Sequence, residues 1–413
     1  QSRSSAASDV YKRQEQDRGE LQVNVTDSDN APIRDARVTI SEPETAINPN
    51  SPIERLETDV SGQTQIVDLN TPPLEYSLNE NNENMPYANY NIQIEAPGYE
   101  TENISNVEIL PDSLSLQDVR MRRREGEQVE NIDIDPHTLY AEYPEKIPED
   151  EIKDVNEPGE IVLSRVVIPE YVVVHNGTPS SNARDYYVTY KDYIKNVASS
   201  EIYATWPRAT IEANVLAIMS FTLNRVYTEW YRNKGYDFTI TSSTAFDHKW
   251  IPERNIFEPI SVIVDELFAD YLSRPNVRQP ILTQYCDGRR VSCPNWLTQW
   301  GSKSLGEQGF SPIEILRYYY GDDMYINTAE AISGIPSSWP GYTLEQGSQG
   351  PKVRQIQEEL NVIAGAYPEI PKLTEDGIYG PETEAAVRKF QSIFGLPVTG
   401  EIDYKTWYKI SEI

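Results

Sequence analysis

A glutamate between two predicted helices is the residue whose surroundings best suit acid–base chemistry. Apolar residues from Tyr190 to Ala198 recur at the spacing of one helix face, and this pattern stops just before Glu201. Pro207 suits the first turn of a second helix, which we predict to run to about Asn233 with few polar positions in its middle. A carboxyl group at such a junction can face a cleft and lose solvent. That raises its pKa and prepares it to act as a general acid.

The charge of the chain restricts its partners. Its 413 residues include 36 Lys and Arg against 65 Asp and Glu, a formal net charge of −29. Such a surface repels nucleic acid and anionic membranes, so we expect neither as a partner. No run of about 18 apolar residues exists, and no membrane span is predicted. Residues 1–18 match neither a signal peptide nor a fold element, and we expect them to be disordered or artefactual.

The length and the changes of pattern along the chain predict a multidomain α+β protein that begins with a β-sandwich. In residues 19–122, apolar and polar residues alternate around positions 21–25, 36–40 and 90–94, with turn signals between them. The order GELQVNV…PIRDARVTI…YNIQIEAPGYE resembles the carboxypeptidase-regulatory or transthyretin-like sandwich family. This segment holds no catalytic constellation, so we interpret it as a structural or inhibitory pro-segment.

An acidic stretch, residues 123–161, follows the predicted sandwich. Between Glu125 and Glu160 it holds 13 Asp and Glu but two Lys, together with four prolines and little apolar periodicity. Like charges repel one another, so the composition predicts an extended linker. It is either a passive spacer or a hinge that proteases can reach, because nicking concentrates in exposed polar segments.

Residues 162–335 predict an α+β unit and carry a second resemblance. The runs VASSEIYATWP…EANVLAIMSFTLNR and TQWG…ILRYYY resemble the core motifs of the stage II sporulation protein D (SpoIID) family of lytic transglycosylases. In that family the Glu before the small–aromatic–Pro segment is the catalytic acid, and Glu201 occupies its position. Met219 stands where the family usually has Arg, which marks a divergent branch. Glu212 stands where it usually has Lys, so we interpret this rival carboxyl as a surface residue.

The resemblance implies a reaction that needs one carboxyl group, whereas most glycosidases use two. Glu201 would protonate the leaving oxygen of the MurNAc–GlcNAc bond and then, as a base, take the proton of the sugar's C6 hydroxyl. That hydroxyl attacks C1 and closes a 1,6-anhydro ring. Ser220, Tyr285 and Gln299 are candidates for lining the cleft and orienting sugar hydroxyls. The alternative for these three is ordinary packing or capping.

The two cysteines, Cys286 and Cys293, leave three possibilities open. They could form a local disulfide, bind a metal together with His248, or stay reduced. Some SpoIID relatives bind zinc through one His and two Cys, but zinc needs three or four ligands and no CxxC spacing is present here. We therefore predict no metal and no cofactor.

Residues 343–413 predict a small helical unit with a strong resemblance. The signature GSQGPKVRQIQEELN…DGIYGPETEAAVRKFQ…GLPVTGEIDYKTW is similar to type 1 peptidoglycan-binding domains, which hold muropeptides in a shallow groove. Asp376, Tyr379 and Thr383 lie on the loop before the main helix and are candidates for contacting the ligand. The alternative is that this loop, with its glycines, only shapes a turn.

The order of these units resembles that of clostridial spore cortex-lytic enzymes. The resemblance implies a precursor stored in the spore, at the cortex and coat, that acts on peptidoglycan glycan strands. It also implies a germination protease of the subtilisin type, and we expect its cut near Ser164–Ile168, where the acidic stretch gives way to an apolar strand.

Two alternatives remain open at this point. Met219 in place of Arg keeps the possibility of a non-catalytic scaffold that binds the wall. A hydrolase that consumes water would give reducing sugar ends instead of anhydro ends.

Overall fold

The structure is a computed structural model of the chain. It describes residues 17–43, 52–124, 129–154, 163, 165–329, 331–333, 342–403, 406–407, 409–410 and 413. Its mixed α+β character agrees with the prediction. Residues 1–16 lie outside the described residues, but the expected disorder of residues 17–18 is wrong. Asp17 and Arg18 open the first strand, because Arg18 donates hydrogen bonds to the Asn70 side chain at 2.6 Å and to the Asp68 carbonyl at 2.8 Å.

The N-terminal unit consists of two sheets that share a core. Its elements are β1 (Asp17–Asp27), β2 (Arg37–Ser41), β3 (Pro52–Glu57), β4 (Val67–Thr71), α1 (Glu75–Leu78), β5 (Ala88–Glu95), β6 (Thr101–Ile109), β7 (Leu114–Met121) and β8 (Val129–Asp133). The predicted alternation places Leu21, Val23 and Val25 of β1 in the core between the sheets. One sheet has the order β3-β2-β5-β6-β8, and β8 pairs in parallel with β6.

The central unit surrounds one long buried helix. Its elements are β9 (Val167–Ile168), β10 (Tyr171–His175), β11 (Asp185–Thr189), α2 (Tyr190–Glu201), α3 (Arg208–Tyr227), β12 (Ile240–Thr241), β13 (Ile256–Phe257), α4 (Glu258–Leu267), β14 (Asp270–Ser273), β15 (Tyr285–Cys286), β16 (Leu297–Thr298), α5 (Gln299–Glu307), α6 (Pro312–Tyr320), β17 (Tyr325–Thr328) and β18 (Ala331–Ile332). As expected, α3 is buried along its middle. It ends at Tyr227 rather than near Asn233, and a separate 3₁₀ turn, Arg232–Lys234, then stops at Gly235.

The first and central units are joined by a shared sheet and a buried ion pair. Strand β13 adds to the edge of β7, which gives the second sheet of the sandwich the order β13-β7-β1-β4. Beside this junction Arg254 forms a two-pronged ion pair with Glu108, and both side chains are enclosed. Strand pairing and a fully enclosed charge pair fix the two units against each other. Neither can leave without exposing backbone and charge.

Two lysines of α2 attach this helix to α4 through ion pairs. Thr189 caps the helix by accepting the amide N–H of Asp192 at 3.3 Å. Further along, Lys191 and Lys195 both bond the buried carboxylate of Asp265 on α4, at 3.0 Å and 2.8 Å. Two cations on one enclosed carboxylate hold the helix in a fixed position. The last residue of α2, Glu201, is therefore held in place by the body of the unit.

The C-terminal unit contains α7 (Pro351–Ala366) and α8 (Pro381–Ile393). On each helix, a buried Gln side chain bonds the backbone N–H of a glycine in a turn. Gln357 of α7 accepts the N–H of Gly377 at 2.8 Å and donates to Thr383 and Asp376. Gln391 of α8 accepts the N–H of Gly400, also at 2.8 Å. Both glycines have a positive φ, 74° and 76°, so each buried Gln clamps a turn that other residues adopt with strain. Within the described ranges, no helix combines the length and apolar composition needed to cross a membrane.

The Gln357 clamp gives a stability prediction for the C-terminal unit. Gln357→Leu leaves the Gly377 N–H and the Thr383 hydroxyl without their partner, so the unit should lose about 2 kcal/mol of unfolding free energy. Denaturant unfolding of the full chain would measure the loss. Gln355→Leu, on the same helix but bonded only to Glu359 near the surface, should change it by less than about 0.5 kcal/mol. Equal effects of the two changes would contradict the clamp.

Candidate active site

Glu201 lies at the bottom of an enclosed polar cluster. It is the last residue of α2, and its side chain has no exposed surface. One carboxylate oxygen, Oε1, accepts the backbone N–H of Lys249 at 2.6 Å, and Oε2 accepts the hydroxyl of Tyr285 at 2.5 Å. Asn196 holds the loop that presents Lys249 by bonding both backbone groups of Ile251, at 2.7 Å and 3.0 Å. The carboxyl group is therefore fixed by two donors from separate parts of the chain, one in a loop and one in strand β15.

The environment of Glu201 suits a general acid. Burial raises the pKa of the Glu201 carboxyl, and this effect exceeds the opposing influence of the nearby Lys146 charge and of the two hydrogen-bond donors. A carboxyl with a raised pKa keeps its proton at a higher pH than an exposed one. The two donors would then stabilise the carboxylate once the proton has left. The arrangement can therefore both release and take back a proton.

His248 belongs to this cluster, which the sequence analysis missed by considering it only as a metal ligand. Its ring stacks on Tyr285, with the centroids 5.8 Å apart, and lies 4.5 Å from the ring of Phe221. Its Nδ1 is hydrogen-bonded to the Tyr193 hydroxyl at 2.9 Å. Burial and two neighbouring cations lower the pKa of His248 well below its usual value, so the imidazole is neutral. Its place in the cluster depends on tertiary contacts that the local sequence does not show.

The two cysteines do not join His248. Cys286 and Cys293 form a disulfide with an S–S distance of 2.13 Å, which selects one of the three open possibilities. In the part of the chain that the structure describes, no group of three or more His, Cys, Asp or Glu side chains could hold a metal ion. The disulfide closes a short loop directly after Tyr285, the residue whose hydroxyl bonds Glu201.

A stretch of the acidic region covers the cluster, so the prediction of an extended linker is wrong for residues 129–154. Residues 129–133 form strand β8, and residues 137–153, here called the covering segment, lie against the central unit. Thr138 donates its N–H to the Ser200 carbonyl at 3.0 Å, and the His137 ring stacks on Tyr203 at 4.5 Å. These contacts lie at the C-terminal end of α2. The covering segment therefore lies over the end of α2 that carries Glu201.

Lys146 of the covering segment places an ammonium group beside Glu201. Its Nζ donates to the Asp247 carbonyl at 2.5 Å and lies 4.5 Å from the centre of the Tyr285 ring and 5.5 Å from that of Phe221. Burial lowers the pKa of Lys146, and the negative charge of Glu201 is the strongest influence that opposes this. Lys146 is therefore held by a carbonyl and two aromatic faces, within the electrostatic influence of the Glu201 carboxyl.

Arginines of the central unit explain why the acidic residues of the covering segment fold instead of repelling each other. Arg225 of α3 has no exposed side-chain surface and bonds both oxygens of Glu149, at 2.9 Å and 2.6 Å, while its Nε bonds Asp247 at 2.7 Å. Lys153 adds a third bond to Glu149, and Arg274 bonds both oxygens of Glu151. Pairing with cations from distant parts of the chain removes the repulsion that the local sequence predicts.

The Glu149 pair gives a prediction about how the covering segment is held. Burial alone would raise the pKa of Glu149, but the bonds and charges of Arg225 and Lys153 lower it from 4.5 to about 2. Glu149→Gln should weaken the attachment by about 2 kcal/mol, which hydrogen exchange would show as roughly thirtyfold faster exchange in the covering segment. Glu145→Gln, with the same charge change at an exposed position, should leave exchange unchanged.

The same pair predicts a pH dependence with a definite sign. A lowered pKa contributes stability above the ordinary value of 4.5 and loses it as the pH falls toward 2. The stability difference between wild type and Glu149→Gln should therefore be constant in neutral solution and shrink in acid. A difference that grows as the pH falls would contradict this assignment.

The disulfide loop also holds the covering segment. Arg290, inside the loop, donates to the Thr138 carbonyl at 2.8 Å and contacts the Ala141 carbonyl. Tyr143 packs against Cys286 and Val291.

The cleavage site expected near Ser164–Ile168 lies beyond the covering segment. Most of this range is inaccessible, because Val166 and Ile168 are buried and β9 pairs with β18. Ser164 lies outside the described residues. Arg165, within the range of the expected cut, is exposed.

The other predicted cleft residues divide between packing and the cluster. Tyr285 contacts Glu201 directly, as described above. Ser220 is buried inside α3 and bonds the carbonyls of Leu272 and Ile281, at 3.2 Å and 2.9 Å, which agrees with the packing alternative. Gln299, the first residue of α5, is fully buried, and neither its amide nitrogen nor its oxygen has a hydrogen-bond partner among the described residues. Glu212 lies away from the cluster and bonds Arg208 at 2.7 Å.

The candidate ligand residues of the C-terminal unit mainly shape their loop. Tyr379 is buried, and its hydroxyl donates to the Gly400 carbonyl at 2.8 Å. Thr383 is also buried and accepts from Gln357 at 3.2 Å. Asp376 is exposed and accepts the Ile378 N–H at 2.9 Å. Of the three, Asp376 alone has a surface that a ligand can reach in this conformation.

Comparison with known proteins identifies the C-terminal unit. Residues 349–410 match the peptidoglycan binding domain family. The chain is 40% identical over 77 residues to a zinc D-Ala-D-Ala carboxypeptidase of Streptomyces albus G, which is 18% of this chain and 28% of that protein. It is 29% identical over 145 residues to an autolytic lysozyme of Clostridium acetobutylicum, 32% of this chain and 42% of that protein. The chain thus spans less than half the length of either relative.

A likeness to a solved structure is much weaker. The minor pilin GBS52 of Streptococcus agalactiae matches 28% of this chain and 48% of its own, with 17% identity and a TM-score of 0.19. That score is too low to support an argument about fold. The family match covers nearly the whole C-terminal unit, and this unit is a type 1 peptidoglycan-binding domain.

Proposed function

We propose that the chain is a peptidoglycan-degrading enzyme, a lytic transglycosylase made as a proenzyme, with Glu201 as its acid and base. The observation that carries the proposal is the buried Glu201 carboxyl, which has a raised pKa and two fixed donors. It occupies the position of the catalytic acid in the SpoIID resemblance. The peptidoglycan-binding domain supports the substrate class, and the carboxypeptidase and lysozyme relatives support an action on the cell wall.

In the proposed reaction one carboxyl group completes the whole proton cycle. Glu201 gives its proton to the glycosidic oxygen as the bond to C1 of MurNAc breaks, and the GlcNAc hydroxyl leaves. The resulting carboxylate keeps its bonds from Lys249 N–H and Tyr285. It then takes the proton of the C6 hydroxyl while that oxygen bonds to C1. The enzyme returns to its starting state, the product carries a 1,6-anhydro ring, and no water is consumed.

The covering segment supports the precursor part of the proposal. In the intact chain it encloses Glu201, so a glycan strand has no path to the carboxyl group. A protease of the subtilisin type that cuts before Arg165 would disconnect the segment from the central unit. This order of events, together with the order of the units, resembles that of the clostridial spore cortex-lytic enzyme SleC. We accordingly assign the protein to the spore cortex and to germination.

Analysis of the reaction products tests this function. Purified cortex peptidoglycan would be incubated with the full chain before and after limited treatment with a subtilisin-type protease, and the soluble fragments analysed by mass spectrometry. We expect 1,6-anhydro-muropeptides only after treatment. Reducing sugar ends would identify a hydrolase that uses water instead. Binding to peptidoglycan without any soluble fragment would identify the non-catalytic scaffold and contradict the proposal.

A further inference from the structure

The place that Lys146 fills has the properties of a binding site for a positive charge. Among the described residues, no carboxylate is hydrogen-bonded directly to the ammonium group, which donates a hydrogen bond to the Asp247 carbonyl. The rest of its stabilisation comes from the rings of Tyr285 and Phe221 and from the nearby charge of Glu201. Aromatic faces attract a cation most strongly when water is excluded, as it is here.

The walls of this place belong to the central unit, not to the covering segment. Tyr285 faces Lys146 with its ring and bonds Glu201 with its hydroxyl, so one side chain connects the cation to the acid. The ring of His248 stacks on Tyr285 and lies against Phe221, which fixes both aromatic faces. These walls therefore remain if the covering segment leaves, and they would then surround an open cation site.

Polar atoms without a hydrogen-bond partner among the described residues lie on both sides of the contact between the covering segment and the central unit. Among the described residues, the Ser200 hydroxyl and the His248 Nε2 have no hydrogen-bond partner. On the covering segment, the Thr138 and Tyr143 hydroxyls are also unpartnered. Unpaired buried polar atoms are unfavourable, so this part of the cluster suits a ligand with hydroxyl groups that can bond them. A glycan has that chemistry.

We infer that the Lys146 pocket is a cation-stabilising site that receives the reacting sugar ring, and that Lys146 blocks it by imitating the charge of that ring. This inference rests on the proposed function for the identity of the ring. Cleavage of a glycosidic bond places positive charge on C1 and the ring oxygen in the transition state. A group of acceptors that holds an ammonium next to the acid also stabilises that charge. The covering segment is then a charge mimic of the reacting substrate as well as a physical block.

The cation site is tested by replacing the Lys146 ammonium group with a free ammonium ion. Lys146→Ala in the full chain removes the atoms of one n-propylammonium ion, so this ion should bind the variant and raise its thermal midpoint in a concentration-dependent way. Uncharged 1-propanol, of similar size, should bind at least about tenfold more weakly. The wild-type chain, whose pocket is filled, should show no shift, and Lys146→Ala/Glu201→Gln should lose most of the preference for charge.

Three results would overturn the inference. Equal binding of propylammonium and 1-propanol would show an apolar hole, and no binding by a variant with a wild-type near-ultraviolet spectrum would show no site. If Lys146→Ala does not fold, the inference is tested instead by inhibiting the glycan cleavage of the protease-treated wild-type protein. A protonated piperidine iminosugar derived from N-acetylglucosamine should inhibit glycan cleavage at least about tenfold better than its neutral lactam. Equal inhibition would likewise overturn it.

A matched variant tests whether the aromatic walls cause the preference for the cationic inhibitor over the neutral lactam. Phe221→Leu keeps an apolar side chain but removes one of the two faces, so the preference for the cationic inhibitor should fall severalfold. The outcomes for the two proposals are distinguishable. Absence of glycan cleavage would contradict the proposed function, while propylammonium binding would still decide the cation site. Glycan cleavage without any preference for the cationic inhibitor would agree with the proposed function and contradict the cation site.

Discussion

Replacing Glu201 by Gln is expected to lower the glycan-cleaving activity of the protease-treated chain by about 10³-fold or more. Gln keeps the size of the side chain, but it can neither give a proton to the leaving oxygen nor take one from the C6 hydroxyl. General acid–base catalysis alone accounts for about 10²–10⁴ in rate, and here both steps depend on one group. The loss should fall on kcat, because the Gln amide still fills the cluster, and it is measured by release of anhydro-muropeptides.

Controls separate this loss from unfolding. Glu212→Gln removes a carboxyl from the neighbouring helix α3 that bonds only Arg208, so activity should stay within about twofold of wild type. Glu201→Gln itself should not lower the thermal midpoint, because removing a carboxyl that burial disfavours relieves part of its desolvation. Unchanged product release by a folded Glu201→Gln protein would end the assignment.

Arg254→Met should produce the largest loss of stability of any change considered for this chain. Its guanidinium is fully enclosed, pairs with both oxygens of Glu108, and donates to the Ser199 carbonyl at 3.1 Å. Removing it leaves the buried Glu108 carboxyl without a counter-charge at the junction of the sandwich and the central unit. Breaking one side of such a pair costs about 3–5 kcal/mol, which denaturant unfolding followed by hydrogen exchange at β7 and β13 would measure.

The double variant distinguishes charge from packing in this result. Arg254→Met/Glu108→Leu removes both buried charges, and we expect it to recover more than half of the lost stability. Arg208→Met, which breaks an ion pair at the surface, should cost less than about 1 kcal/mol. A loss at Arg254 no larger than that at Arg208 would show that the junction depends on the strand pairing instead.

Local pattern was sufficient for the position of Glu201. The helical spacing before it and Pro207 after it correctly placed one helix end and one helix start, and a helix end is a local property of the chain. The position of Tyr285, 84 residues further on, could only be suggested by a family motif. No local signal showed that its hydroxyl would reach Oε2.

The acidic stretch shows where local pattern is insufficient. When only the charges within this stretch are considered, they repel one another, and an extended linker is the reasonable prediction. In the folded chain Glu149 and Glu151 are paired with Arg225 and Arg274, which lie 76 and 123 residues away. Such pairs depend on tertiary structure, and the sequence around Glu149 carries no trace of them. The two lysines in an otherwise acidic region were the one available hint, since Lys146 and Lys153 are both buried.

Strand β13 has a consequence for what happens after the chain is cut. Because it completes the sheet of the N-terminal unit, a single cut before Arg165 gives two polypeptides that stay associated through β7, β13 and the Arg254–Glu108 pair. Their separation is unimolecular and their reunion bimolecular, so dilution favours separation, and the nicked protein should behave as a heterodimer with a measurable dissociation constant. Native mass spectrometry at decreasing concentration would then show the intact pair giving way to a lone C-terminal fragment.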